Sequence, residues 1–156
     1  MTVTERETAA YHEAGHAVIG YRFGQRFAEL SIRPSQSERG FCRFFGSLKN
    51  PKHEALVSFA GHAAQVHLFP EDRRPPSRPD FRSVRHIVNS MSSEEYKVMV
   101  MQAKILIVTN WPQVRAVAEG LLEAEMMQGN LFAEIIEAVD NGEDWRQIPA
   151  WTGRSC

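Results

Sequence analysis

From Thr4 to Gly24 the sequence holds no proline, and inside that run residues 12–16 read His-Glu-Ala-Gly-His. This stretch limits what the chain can become more than any other. Thr4 and Glu7 have capping-box spacing, the run favours helix to about Phe23, and Gly24 can end it. On a helix His12 and His16 are four residues apart and leave from one face, so both imidazoles can reach a single ion. Glu13 lies one step round the same turn, where its carboxylate can meet a metal-bound water rather than the metal. Zinc brings the pKa of such a water toward about 7, and a carboxylate can take its proton as hydroxide attacks a carbonyl. The chain has 6 His and 15 Glu among 156 residues, so shuffling would produce this spacing about once in fifty sequences. Its position inside a capped helix is what gives it weight.

The rest of the chain predicts a mostly helical, α+β architecture with a small β element. Ala28 to Phe45 places Leu30, Ile32, Phe41, Phe44 and Phe45 around a polar Pro34–Gly40 turn, which predicts one or two short strands. Asn50-Pro51 opens a helix to about Leu68, and the proline-rich stretch Pro70–Pro79 reads as an irregular loop. A helix is expected from near Asp80 to about Met91. Ser92 and Glu95 form a second capping box, opening a helix with Val98, Met101, Ile105 and Val108 at helical spacing. Pro112 breaks it, Asn110 can cap a further helix to about Met127, and a last one runs from Gly129-Asn130 to Asn141-Gly142. Met91, Met99, Met101, Met126 and Met127 read as helix core, and Ala10, Ala14 and Ala17 as close-packing positions. Trp145 and Trp151 in the tail are candidates for docking on the core.

Composition excludes several classes. At this length one domain spanning 1–156 is expected, with its core at about 5–140 and a short C-terminal tail. A net charge of −1 argues against a dedicated nucleic-acid binder. No run approaches the roughly 18–20 apolar residues of a membrane span, and the polar, acidic start is no signal peptide. Cys42 and Cys156 are too few for a disulfide framework, so a cytoplasmic location is expected. Arg73, Arg74, Arg78, Arg82 and Arg85 form a local basic cluster, read first as a solvated face.

A catalytic zinc site needs a third protein ligand and an open position. Extending the motif to a glycine three residues and a histidine six residues beyond the second ligand finds Ile19 and Arg22, so that longer pattern is absent. Glu119 and Glu123 on a later helix are one option. His53, His62, His67 and His86 are scattered without ligand spacing and read as structural. Asp80, in the opening turn of a helix, reads on residue physics as an acid favoured by the helix dipole.

Ala10-Tyr-His-Glu-Ala-Gly-His-Ala-Val-Ile-Gly-Tyr21 resembles the zinc-binding helix of the FtsH-type peptidase domain, the proteolytic half of ATP-dependent FtsH proteases. Ser31-Ile-Arg-Pro34 with Gly40-Phe41, Phe59-Ala-Gly-His-Ala-Ala-Gln65, Asp80-Phe-Arg-Ser-Val-Arg-His-Ile-Val88 and Val117-Ala-Glu-Gly-Leu-Leu-Glu-Ala-Glu125 resemble further stretches of that domain in the same order. His62, Gln65 and Val66 depart from its usual arginine and acids. The resemblance implies a helical, zincin-like fold and a metalloendopeptidase in which His12, His16 and Asp80 hold Zn²⁺ and Glu13 is the general base. It implies an unfolded or flexible polypeptide as substrate, added as a strand to an exposed edge at Ala28–Arg33. FtsH proteases carry an ATPase module and membrane segments. No G-x-x-x-x-G-K-[ST] loop occurs here, so the expectation is ATP-independent cleavage or work beside a separate ATPase, with a homo-oligomer possible. A peptidase specific for one regulatory partner, and a non-catalytic zinc-containing module that regulates such a protease, are the alternatives.

Overall fold

Helix α1 (Val3–Arg22) is the axis of the fold because its side chains are small on several faces at once. Ala10, Ala14, Ala17, Val18 and Ile19 are all fully buried. Helix α2 (Pro51–Leu68) lies against it so closely that a side chain on Gly15 would meet the Ala60 carbonyl oxygen at 2.6 Å and Ala64 Cβ at 2.9 Å. Alanine and glycine permit that approach; a larger residue would force the helices apart. The structure, a computed structural model, describes residues 3–34, 40–74 and 82–154. About two-thirds of it is helical, with one three-stranded antiparallel sheet.

The strands are β1 (Phe27–Ser31), β2 (Phe41–Phe44) and β3 (Met126–Gln128), in the order β2-β1-β3. Leu30 therefore pairs with Cys42 on one side and Met127 on the other. This corrects the expectation of an open edge at Ala28–Arg33. β1 is the central strand, and past its end the Ile32 amide donates to the Glu125 carbonyl at 2.9 Å. Among the described residues, the open edge on the Gly40 side belongs to β2.

Asn50 caps α2 through its side chain, which accepts from the Lys52 amide at 2.9 Å, with Pro51 following. Both halves of the Ser92–Glu95 capping box form at the start of α4 (Ser93–Thr109). Of the helix expected from Asp80 to Met91, the described part is a turn at 82–84 and α3 (Arg85–Ser90). Asp80, Arg78 and Cys156 lie outside the described residues.

Four expectations need correction. Val98, Met101, Ile105 and Val108 do not face the core; each is more than half exposed, while Met99, Ala103 and Ile107 point inward. Helix α4 is apolar on both faces, so periodicity alone could not choose between them. Helix α5 (Trp111–Ala124) stops before Met127, because Glu125 takes a left-handed conformation (φ 64°) and turns the chain into β3. Met126 and Met127 are thus sheet residues, and Met127 is buried against the core. Asn110 makes no side-chain cap; its Nδ2 donates to the Leu106 carbonyl and its Oδ1 accepts from Arg22. Thr4 lies inside the first turn of α1, where its carbonyl accepts from the Thr8 hydroxyl at 2.7 Å. Helix α6 (Gly129–Asp140) closes the bundle, and Trp145 and Trp151 of the tail are buried edge to face, 4.6 Å between ring centroids.

Candidate metal centre

The two motif histidines converge. His16 is buried and His12 half-buried on the side of α1 that faces α2, and their Nε2 atoms are 3.0 Å apart. Their rings meet edge to face, with centroids 4.7 Å apart. His16 Nδ1 lies 2.7 Å from the Val57 carbonyl oxygen. A carbonyl only accepts, so Nδ1 carries the proton and Nε2 presents its lone pair toward His12. A backbone group of α2 thus fixes the tautomer and ring angle that a ligand histidine needs.

Gly61 of α2 makes room for both rings. A side chain there would run into His16 Nε2, with its first carbon 2.6 Å from His16 Cε1 and 2.8 Å from His12 Nε2. The space in front of the imidazoles exists because residue 61 has no Cβ. Two nitrogens 3.0 Å apart also suit ligands that each sit about 2.0–2.1 Å from zinc. The donor set, its spacing and the glycine cradle fit the metal.

Glu13 is buried on the same turn and approaches the loop that enters β2. A side chain on Gly40 would stand 3.2 Å from Glu13 Oε1 and 2.9 Å from the Ser31 carbonyl oxygen. Glu13 therefore sits between the histidines and the start of the open β2 edge. Cys42, on β2, is close enough to feel that carboxylate. Burial raises its thiol pKa well above the usual value and Glu13 adds to the shift, so it remains a neutral thiol.

Among the described residues, no group of three histidine, cysteine or acidic side chains is placed to hold a metal ion. Glu119 and Glu123 instead pair with Arg146 at 3.0 and 3.1 Å. His53 stacks on Phe23, His67 meets the edge of Trp111, and His86 is exposed on α3. The expected third ligand, Asp80, lies outside the described residues.

One departure from the expected pattern has a local explanation. The Gln65 amide donates to Asp72 Oδ2 at 2.6 Å, and Arg74 Nε donates to both Asp72 oxygens at 2.9 and 3.0 Å. Hydrogen bonding from Arg74, aided by Gln65, holds the Asp72 carboxyl well below the usual carboxylate range. A glutamate at 65 would bring a second negative charge against Asp72. Arg73, Arg82 and Arg85 are exposed, as read from the sequence.

Sequence reading missed Gly61, the Val57 carbonyl and Gly40. The first had a signal in the small-residue run Phe59–Gln65, which marks close helix packing; the other two had none.

No family model matches the chain. An ATP-dependent zinc metalloprotease FtsH from Oenococcus oeni is 30% identical over 102 residues, covering 60% of this chain and 14% of that protein. The similarity is a distant link to FtsH over part of the chain, which spans only a small fraction of that relative. Among the described residues no helix is long and apolar enough to cross a membrane.

Proposed function

We propose that the chain is a zinc-dependent peptidase domain in which His12, His16 and Asp80 hold the metal and Glu13 moves the proton. The observation that carries this reading is the pair of Nε2 atoms 3.0 Å apart, with His16 locked by Val57 and both rings facing the Gly61 gap. When bound, zinc supplies a Lewis acid that activates water near neutral pH and polarises a carbonyl. Glu13, on the next residue of the turn, takes the proton of the attacking water at its carboxylate and returns it to the leaving amine. His12 and His16 remain neutral ligands, the latter because Val57 keeps its proton on Nδ1. Close packing of α1 on α2 holds the rings in place before substrate arrives.

The substrate in this reading is an unfolded or flexible polypeptide lying along the outer edge of β2, which starts just after Gly40 beside Glu13. Backbone hydrogen bonds to that edge would give affinity with little sequence preference. The Oenococcus oeni relative is itself called an ATP-dependent zinc metalloprotease, which supports the class of reaction and the metal. A separate ATPase partner would be needed only for folded substrates.

Glu13→Gln tests the assignment. Zinc content should be unchanged and hydrolysis of an unfolded protein such as casein should fall by at least about 100-fold, as expected for loss of a general base. Wild-type turnover in that variant would remove Glu13 from the mechanism. Asp80→Ala should lower zinc occupancy, and full occupancy would move the third ligand elsewhere.

A further inference from the structure

A second concave surface lies where Phe23, just past the end of α1, meets the start of α2 and the chain that follows β2. It is a groove of about 650 Å³ that does not include His12 or His16. Its walls include Phe23, Phe45 and Leu48, and Phe45 is 65% exposed despite its size. Its titratable lining residues are Arg26, Lys49 and His53, and among the described residues no carboxylate lines it. Arg26 and Lys49 are exposed and make no ion pair with any described residue, while His53 stacks on Phe23 at 4.1 Å with the rings nearly parallel. Basic groups with no acid among them, around an apolar wall, complement an anion joined to an apolar body.

The position narrows the ligand. β2 (Phe41–Phe44) follows Gly40, which lies beside Glu13, and Phe45 after it lines the groove. Along α2, His53 and Gly61 are two turns apart, about 12 Å. An extended chain covers that in about four residues. A strand laid on the open edge of β2 with one end at Glu13 would bring its other end to Arg26 and Lys49.

We propose that this groove binds the carboxyl terminus of a polypeptide, its α-carboxylate against Arg26 and Lys49 and its last side chain, an apolar one, against Phe45 and Leu48. This deepens the peptidase reading and rests on it for the substrate class. It makes the site a reader of chain ends, which would be cut about four residues from the terminus.

Binding without turnover separates the two ideas. Fluorescence anisotropy would use the full chain carrying Glu13→Gln and a dye-labelled unfolded peptide of about eight residues ending in leucine, as free acid or as carboxamide. Losing the charge-assisted contacts should weaken the carboxamide by about tenfold or more. In the Arg26→Ala/Lys49→Ala double variant the two peptides should bind alike, with thermal unfolding confirming an intact fold. Phe45→Ala should weaken the free-acid peptide and spare the discrimination. N-acetylleucine and inorganic phosphate should compete only at concentrations about 100-fold above the peptide, because neither can pair with β2. Equal affinity of acid and carboxamide, or discrimination that survives the double substitution, overturns the proposal. Competition by phosphate or N-acetylleucine at peptide concentrations would make the groove a general anion site and overturn it as well. Discrimination in a wild-type protein that cleaves nothing would remove the peptidase reading and leave this site standing.

Discussion

The seam between α1 and α2 and the outer face of α4 are both apolar helix surface, yet only the first is closed. In the seam, Gly15 meets Ala60 and Ala64, and Gly61 meets two imidazoles, so every position is set by what stands opposite it. On α4, Val98, Met101, Ile105 and Val108 follow one another at helical spacing, each more than half exposed. Tight packing in the seam fixes the tautomer of His16 and holds it 3.0 Å from His12. A side chain on the outside of α4 has no such constraint, whatever its hydrophobicity.

Substitutions on each side sharpen the contrast. The largest effect on the metal site is expected from Gly61→Ala, which places a methyl group against His16 Nε2. Overpacking there should cost about 1–3 kcal/mol of stability, and displaced rings should weaken zinc binding by about 10–100-fold. Calorimetric unfolding and competitive zinc titration would read both, and an unaffected zinc affinity would mean the gap plays no part in the site.

Next come two isoleucines two residues apart on α4. Ile107 is fully buried and Ile105 is 57% exposed. Truncating Ile107 to alanine should cost about 2–5 kcal/mol, whereas Ile105→Ala should stay within about 0.5 kcal/mol. Similar losses in urea unfolding would show that a partner covers the outer face.

The smallest effect concerns Asp72. Its carboxyl is held low by Arg74, so the folded state binds protons less readily than the unfolded chain does. The stability this contributes is present above the ordinary carboxyl pKa of about 3.9 and is lost as pH falls toward the lowered value. Asp72→Asn should therefore flatten stability against pH below about 4 and leave the neutral-pH zinc content unchanged. An identical acid limb in both proteins would remove Asp72 from the acid response.

Much of this contrast was legible in the sequence, for unequal reasons. The α1 and α2 boundaries follow from Gly24 and from Asn50-Pro51, and the start of α4 from Ser92 and Glu95, because caps and breakers act locally. That His12 and His16 leave α1 from one face follows from helical geometry alone. What could not be read was anything set by a distant segment. The Val57 carbonyl is 41 residues from His16, and the pairing of β1 with β3 depends on a left-handed Glu125 with no glycine to announce it. The two faces of α4 are equally apolar in sequence, and only the position of α2 decides between them.

If His12 and His16 together grip one zinc ion, removing either imidazole must release it. Elemental analysis of purified protein tests it most directly, comparing the unsubstituted chain with His12→Ala and His16→Ala after identical zinc loading and desalting. The unsubstituted chain should carry about one zinc and either variant should lose most of it, as three-ligand coordination requires. Equal zinc in all three proteins, or none in the unsubstituted chain, would contradict it.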